Sequence, residues 1–210
     1  MNYICNCSKS DFYKHNYSYW ENRDITSDEK DVIEFLNKCE INLKTILHIG
    51  IGNSFFARQF HNNNYIFGVT ISQKEIDKAT SLNLSNYEVS LCDKYSKNFM
   101  LEFHDKKFDV IVDTNLKSYS CCLVSFNFYM ENLLSKLDKN GILITSINGM
   151  EWYKSLRPKL SFDFKKFFHF KLKEVNGNKQ NILTQNELKN LSKRFDLQFS
   201  FDTKLCYLKR

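Results

Sequence analysis

Apolar and polar positions along this chain change period repeatedly between about residue 28 and residue 147. Val32, Leu36 and Cys39 recur at helical spacing behind Thr26-x-x-Glu29, a capping-box pattern that predicts a helix start. Thr45 to Ile49 is a short apolar run that stops at Gly50-Ile51-Gly52, which predicts a buried strand followed by a tight loop. A helix is expected from Asn53 to about His61, a second strand from Tyr65 to Thr70, a helix from Gln73 to Ser81 and a weaker strand from Tyr87 to Leu91. Phe108 to Asp113 is crowded with β-branched residues and gives the clearest strand signal. Leu123, Phe126, Met130, Leu133 and Leu137 predict one long amphipathic helix, and Asn140-Gly141 a turn into a fifth strand at Ile142 to Thr145.

Five strands separated by helices imply a parallel, doubly wound sheet with right-handed crossovers. Further on, Thr184-x-x-Glu187 predicts a capped helix carrying Leu188, Leu191 and Phe195. Two more strands follow, Leu197 to Phe201 and Lys204 to Leu208, with only Asp202-Thr203 between them. So short a link holds no crossover helix, so these strands are expected to pair antiparallel. The expected fold is α/β: a Rossmann-like, doubly wound, seven-stranded sheet, mostly parallel with a C-terminal antiparallel strand. Residues 148–183 fit neither period. They contain the sole proline, Pro158, and a run of phenylalanines among lysines, and read as an insertion on the substrate side of a domain spanning 28–210.

Composition narrows the class. In 210 residues, 42% are hydrophobic and 15% aromatic, which excludes wholesale disorder. No apolar run reaches the roughly 18 residues of a membrane span. The opening MNYICNCSKSDF lacks the apolar core of a signal peptide, so a cytoplasmic protein is expected. The seven cysteines include Cys5-x-Cys7 and the adjacent Cys121 and Cys122 but no C-x-x-C pair, so no metal site is expected. Against only six glycines, the pair Gly50 and Gly52 stands out. In such sheets ligands bind beyond the carboxyl ends of the strands, where that pair falls. A dinucleotide fingerprint needs a third small residue where Phe55 stands and an acid where Thr70 closes the second strand, and both tests fail. The P-loop pattern is absent as well.

The order of landmarks resembles the class I S-adenosylmethionine-dependent methyltransferases. LHIGIGNS (47–54) is similar to the family's first motif, FGVTIS (67–72) to the second, SLCD (90–93) to the third and FDVIVD (108–113) to the fourth. LLSKLDKNGILITS (133–146) resembles its long helix and fifth strand, and the closing hairpin its reversed last strand. The resemblance implies S-adenosylmethionine as cofactor, with Gly50 and Gly52 beneath its methionine and ribose parts and Asn53 and Ser54 in the same motif. It implies Asp93 on the adenine amino group, Cys92 and Lys94 flanking the base, and Asp113 and Asn115 near the methyl group. The segment 1–27, with Tyr17, Tyr19, Trp20 and Arg23, resembles an N-terminal lid in which Arg23 pairs with the methionine carboxylate. Two positions depart from the pattern. His48 stands where the first motif commonly has an acid facing the methionine amino group. Thr70 stands where an acid commonly grips the ribose hydroxyls, and Ser72, Gln73 or Glu75 are the candidates to compensate.

The resemblance leaves the acceptor open. Tyr119 and Lys117, just after the fourth strand, and His15 and His169 from the lids are the candidate catalytic residues. The Pro-Pro signature of amino-methylating nucleic-acid enzymes is missing, since Asp113-Thr114-Asn115-Leu116 stands there, and the lysines cluster only modestly at 165–173. A net charge of +6 equally suits an anionic small molecule. The reading is methyl transfer to a small molecule, most plausibly O-methylation of a sugar, sugar phosphate or related surface-glycan intermediate. An RNA-directed methyltransferase and a catalytically silent methyltransferase-like binding domain are the alternatives. Oligomeric state is not readable from the sequence.

Overall fold

Residues 23–118, 120, 122–147 and 183–210 are described by a computed structural model of the chain. The strands are β1 (Thr45–Ile49), β2 (Tyr65–Thr70), β3 (Tyr87–Leu91), β4 (Phe108–Val112), β5 (Leu137–Ser146), β6 (Gln198–Phe201) and β7 (Leu205–Lys209). The helices are α1 (Ser27–Lys38), α2 (Phe55–Phe60), α3 (Gln73–Ser81), α4 (Lys97–Glu102), α5 (Leu123–Ser135) and α6 (Gln185–Arg194). One seven-stranded sheet runs in the order β3-β2-β1-β4-β5-β7-β6. The pairs from β3 to β5 are parallel, and β7 runs antiparallel to both β5 and β6. The expected architecture is therefore the one observed, with the reversed strand inside the sheet and β6 on its edge.

Neighbouring residues of a strand face opposite sides of a sheet, and here both sides are dry. Leu47, Ile111 and Leu143 pack on Phe99 and Phe103 around α4, on Tyr129, Met130 and Leu133 of α5, and on Leu188 of α6. Ile46, Ile66, Val110 and Ile144 pack on Val32 and Leu36 of α1 and on Phe56 and Phe60 of α2. Burial on both faces explains why the central strands read as continuous apolar runs rather than alternating ones. Polar ties hold the helices in place. Lys204 Nζ donates to Asp31 of α1 at 2.6 Å, joining that helix to the β6–β7 link. The buried Lys136 donates to the carbonyls of Met100 and Phe103 at 3.1 and 2.8 Å, supplying donors that the C-terminal end of α4 lacks.

Four local expectations are corrected. Helix α2 begins at Phe55, not Asn53, because Gly50, Gly52 and Ser54 all take positive φ and the chain is still looping there. Cys39 is exposed at the C-terminus of α1 instead of completing its apolar face. Helix α4 was not expected; six residues are too few to show a helical period, although Ser96 caps it by accepting the Phe99 N–H. Leu137 belongs to β5, where it pairs with Phe108 before the register shifts to Val110 opposite Ile142. The expected turn at Asn140-Gly141 is thus an irregularity within β5.

Gly141 makes that irregularity possible. A Cβ there would lie 2.8 Å from the Phe108 carbonyl oxygen and 3.0 Å from the Asp138 nitrogen, both backbone atoms that have little room to move. Gly141→Ala is expected to cost about 1–3 kcal/mol of stability by overpacking, read as a lowered denaturant midpoint. An unchanged midpoint would show that the entry to β5 relaxes freely.

Candidate functional site

The loop after β1 is held open by its glycines. Gly50 has φ +81° and Gly52 φ +49°, and a Cβ added at either would meet nothing within 4 Å among the described residues. As far as those residues go the loop presents bare backbone to open space, as a cradle for a closely approaching ligand requires. Ser54 adopts φ 58° without being glycine. It is fully buried, and its hydroxyl lies 3.1 Å from the Tyr87 hydroxyl of β3.

Two amide donors of this loop are spent internally. Gly50 N–H donates to the Val69 carbonyl at 2.8 Å and Ser54 N–H to Ile51 at 2.9 Å. Phe56 N–H, at the start of α2, donates to Glu29 Oε1 at 3.2 Å. The Gly52 N–H favours the charged form of the Glu75 carboxylate. Glu75 accepts from the Thr70 hydroxyl at 2.6 Å, and that hydroxyl accepts from Ser72 N–H at 3.1 Å. Two acids from α1 and α3 thus lie against the glycine loop. Thr26 accepts the Glu29 N–H at 3.2 Å, as the capping pattern predicts, but the Glu29 side chain turns to α2 instead of back to its own helix end. Burial pushes Glu29 from 4.5 up to about 7, with the Phe56 N–H and the charge of Arg58 opposing and Glu75 reinforcing. Glu75 is raised for the same first reason, against the bonds from Thr70 and Gly52.

His48 sits in β1 between Gly68 and Val112 and packs on the Phe56 ring at 4.6 Å. Desolvation drives it from 6.5 down to about 4, with Asp113 opposing, so it is neutral at pH 7. Its Nδ1 is buried without a hydrogen-bond partner among the described residues, as is Asn115 Oδ1. These orphaned acceptors or donors, beside an open cradle, fit a site that takes a polar ligand.

The remaining candidates fall around the same strand ends. Asp93 follows β3, and its Oδ1 accepts the Tyr95 N–H at 2.9 Å. Cys92 is buried, and burial raises its thiol to about 11. Lys94 donates to Asp113 at 2.8 Å, and Tyr129 of α5 donates to the same oxygen at 2.6 Å. Lys117 is buried and donates to Glu187 of α6 at 2.8 Å. Asn53 donates to the Arg23 carbonyl at 2.8 Å, which brings the segment before α1 to the glycine loop. Gln73, at the start of α3, donates to Asp77 on the exposed face of that helix. His15, Trp20, Tyr119 and His169, the aromatics Tyr17 and Tyr19, and residues 148–182 of the expected insertion lie outside the described residues. Sequence reasoning missed Tyr129, Tyr87 and Glu187 as members of this site. Tyr129 lies one residue from Met130 on the counted apolar stripe, so its hydroxyl went unread, and Glu29 was read only as a cap.

The fold is that of the class I S-adenosylmethionine-dependent methyltransferases. N-methyltransferase NodS from Bradyrhizobium japonicum WM9, crystallised with S-adenosylhomocysteine, aligns with a TM-score of 0.60 at 13% identity over 93% of this chain and 93% of that one. Magnesium protoporphyrin IX methyltransferase from Synechocystis PCC 6803, with bound S-adenosylmethionine, gives 0.60 at 12% identity over 96% and 92%. The [4+2]-cyclase SpnF gives 0.55 at 18% identity over 87% of this chain and 63% of that one. No family model matches the sequence, and no curated protein matches it.

The buried acid at α1 has a pH signature. Between 4.5 and about 7 the folded chain keeps a proton on Glu29 that the unfolded chain has lost, so this group's contribution to stability falls as pH rises through that window. His48 acts oppositely. Between about 4 and 6.5 the unfolded chain binds a proton that the folded one refuses, so its contribution grows with pH. Comparing variants separates the two. Glu29→Gln keeps an acceptor for Phe56 N–H and is expected to gain about 2 kcal/mol relative to wild type on going from acid to neutral pH, measured by urea unfolding across that range. Parallel profiles for the two proteins would remove Glu29 as the buried titrating group.

Proposed function

We propose that this chain is an S-adenosylmethionine-dependent methyltransferase acting on a small-molecule acceptor. The observation that carries the reading is the pairing of an open glycine cradle with two acids set against it. Among the described residues Gly50 and Gly52 leave room above the backbone, while the Phe56 N–H is given to Glu29 and the Gly52 N–H favours the charged form of Glu75. A pyrophosphate needs such donors free and finds carboxylates there instead. A ligand that carries positive charge and no phosphate suits the same surroundings, and S-adenosylmethionine is such a ligand.

In this reading Gly50 and Gly52 pass beneath the methionine and ribose parts, and Asp93 accepts from the adenine amino group. Glu75 acts through the place where the family commonly has an acid closing the second strand. Thr70 stands there instead, and its hydroxyl is bonded to the Glu75 carboxylate, so an acid returns to that strand end from the following helix. Ser72 fixes the pair through its N–H. His48, neutral, offers a nitrogen in place of a carboxylate. The bound cofactor supplies a sulfonium methyl group open to in-line displacement, so alignment and exclusion of water carry much of the acceleration.

The acceptor reading is O-methylation of a sugar, sugar phosphate or related surface-glycan intermediate, supported by the net charge of +6. A hydroxyl acceptor needs a base. Asp113 is engaged by Lys94 and Tyr129, and Lys117 by Glu187. The base in this reading is Tyr119, His15 or His169.

Calorimetric titration with S-adenosylhomocysteine, with NAD as control, tests the cofactor. Saturable binding of the first alone is expected, weakened about tenfold or more in Asp93→Ala through loss of a charge-assisted hydrogen bond. Absence of binding at millimolar ligand would overturn the reading.

A further inference from the structure

Asp93, Lys94 and Tyr95 are consecutive in the turn after β3, yet the last two spend their polar atoms on the segment that follows β4. Lys94 Nζ donates to Asp113 Oδ2 at 2.8 Å, to the Asn115 carbonyl at 2.9 Å and to the Leu116 carbonyl at 3.3 Å. Three acceptors are the full complement of an ammonium group. The Tyr95 hydroxyl donates to the Ser118 carbonyl at 2.8 Å and lies 3.4 Å from that of Leu116. Tyr129 donates to that same Asp113 Oδ2, and Asp113 Oδ1 accepts the Asn115 N–H at 3.0 Å. The Tyr95 and Tyr129 rings meet edge to face at 5.2 Å, and the Lys94 ammonium lies 5.0 Å from the centre of the Tyr129 ring.

This clasp is dry. The Lys94 and Asp113 side chains are 12% and 2% exposed, so neither partner can exchange the other for water at little cost. Its other end is joined firmly to Asp93. The Asp93 carboxylate accepts the Tyr95 N–H, and the Asp93 carbonyl accepts the N–H and hydroxyl of Ser96 at 2.9 and 2.7 Å. By contrast, residues 113–118 are a run of turns whose carbonyls at 115, 116 and 118 are held by Lys94 and Tyr95. Asn115 rides on that segment with Oδ1 buried and unpartnered.

We propose that Lys94 and Tyr95 are positioning residues that make the turn after β3 and the turn after β4 one body, so that a nucleoside seated on Asp93 fixes the backbone of residues 115–118 and with it Asn115. The proposal rests on the reading of the site as a nucleoside-bearing cofactor site. It assigns Lys94 to the loop rather than to the face of the base.

Hydrogen exchange of the full chain with and without S-adenosylhomocysteine tests it. In wild type, saturating ligand is expected to slow exchange of the 115–118 amides about tenfold. In Lys94→Met and in Tyr95→Phe, each measured at ligand concentrations that saturate that variant, the ratio of rates without and with ligand is expected to fall to near one. A merely structural role would speed exchange in both states and leave the ratio intact, and that outcome overturns the proposal. So does wild-type binding without protection of 115–118. Tyr95→Phe removes only a hydroxyl and keeps the test open where Lys94→Met fails to fold. If wild type binds no S-adenosylhomocysteine, the cofactor reading falls and the proposal with it; binding with an unchanged ratio overturns the proposal alone.

Discussion

Parallel pairing of β1 with both β2 and β4 is the constraint from which the rest follows. Parallel strands place all their carboxyl ends on one edge of the sheet, so the loops after Ile49, Thr70, Leu91 and Val112 lie side by side although the sequence spreads them over more than sixty residues. Every polar group brought to that edge must then be satisfied by another loop or helix end, or by a ligand. The site is the result of that crowding.

The chain meets the demand with charge. Glu29 takes up the amide at the start of α2, Glu75 the hydroxyl of Thr70, Lys94 bridges to Asp113, and Lys117 reaches Glu187. Apart from that of Glu75, each pairing joins elements distant in sequence, so the loops are braced against one another rather than against their own strands. The Lys94–Asp113 pair is costly to break because removing one partner strands a buried charge. The site is therefore stiff where loops pair with loops. Among the described residues it is open where Gly50 and Gly52 leave backbone uncovered.

The same bracing sets the chemistry available. Groups that look reactive by type are already engaged: Asp113 by two donors, Lys117 by a carboxylate, Tyr129 by its own bond to Asp113. Burial and the neighbouring Asp113 carboxylate hold the Tyr129 hydroxyl protonated, so it acts as a donor and not as a base. Among the described residues, what remains at the strand ends is shape, desolvation and a few unpartnered atoms, a combination suited to alignment of a bound ligand.

The sequence by itself determined the sheet. Runs such as Thr45 to Ile49 and Phe108 to Val112 are apolar because both faces are covered, and the short link from Asp202 to Lys204 leaves only antiparallel pairing. It also determined the glycine loop, since a backbone with positive φ at Gly50 and Gly52 is written directly in residue type. Only the tertiary structure decided partners. Glu29 reads locally as a helix cap and is in fact an acid seated against α2; Lys94, expected from the resemblance beside the base, is a clasp on the next turn; Leu137 reads as the end of a helix and opens a strand. The reason is physical. Local pattern records whether a side chain is apolar and what its immediate backbone prefers, whereas a buried polar group takes its role from whichever complementary atom the fold brings within about 3 Å.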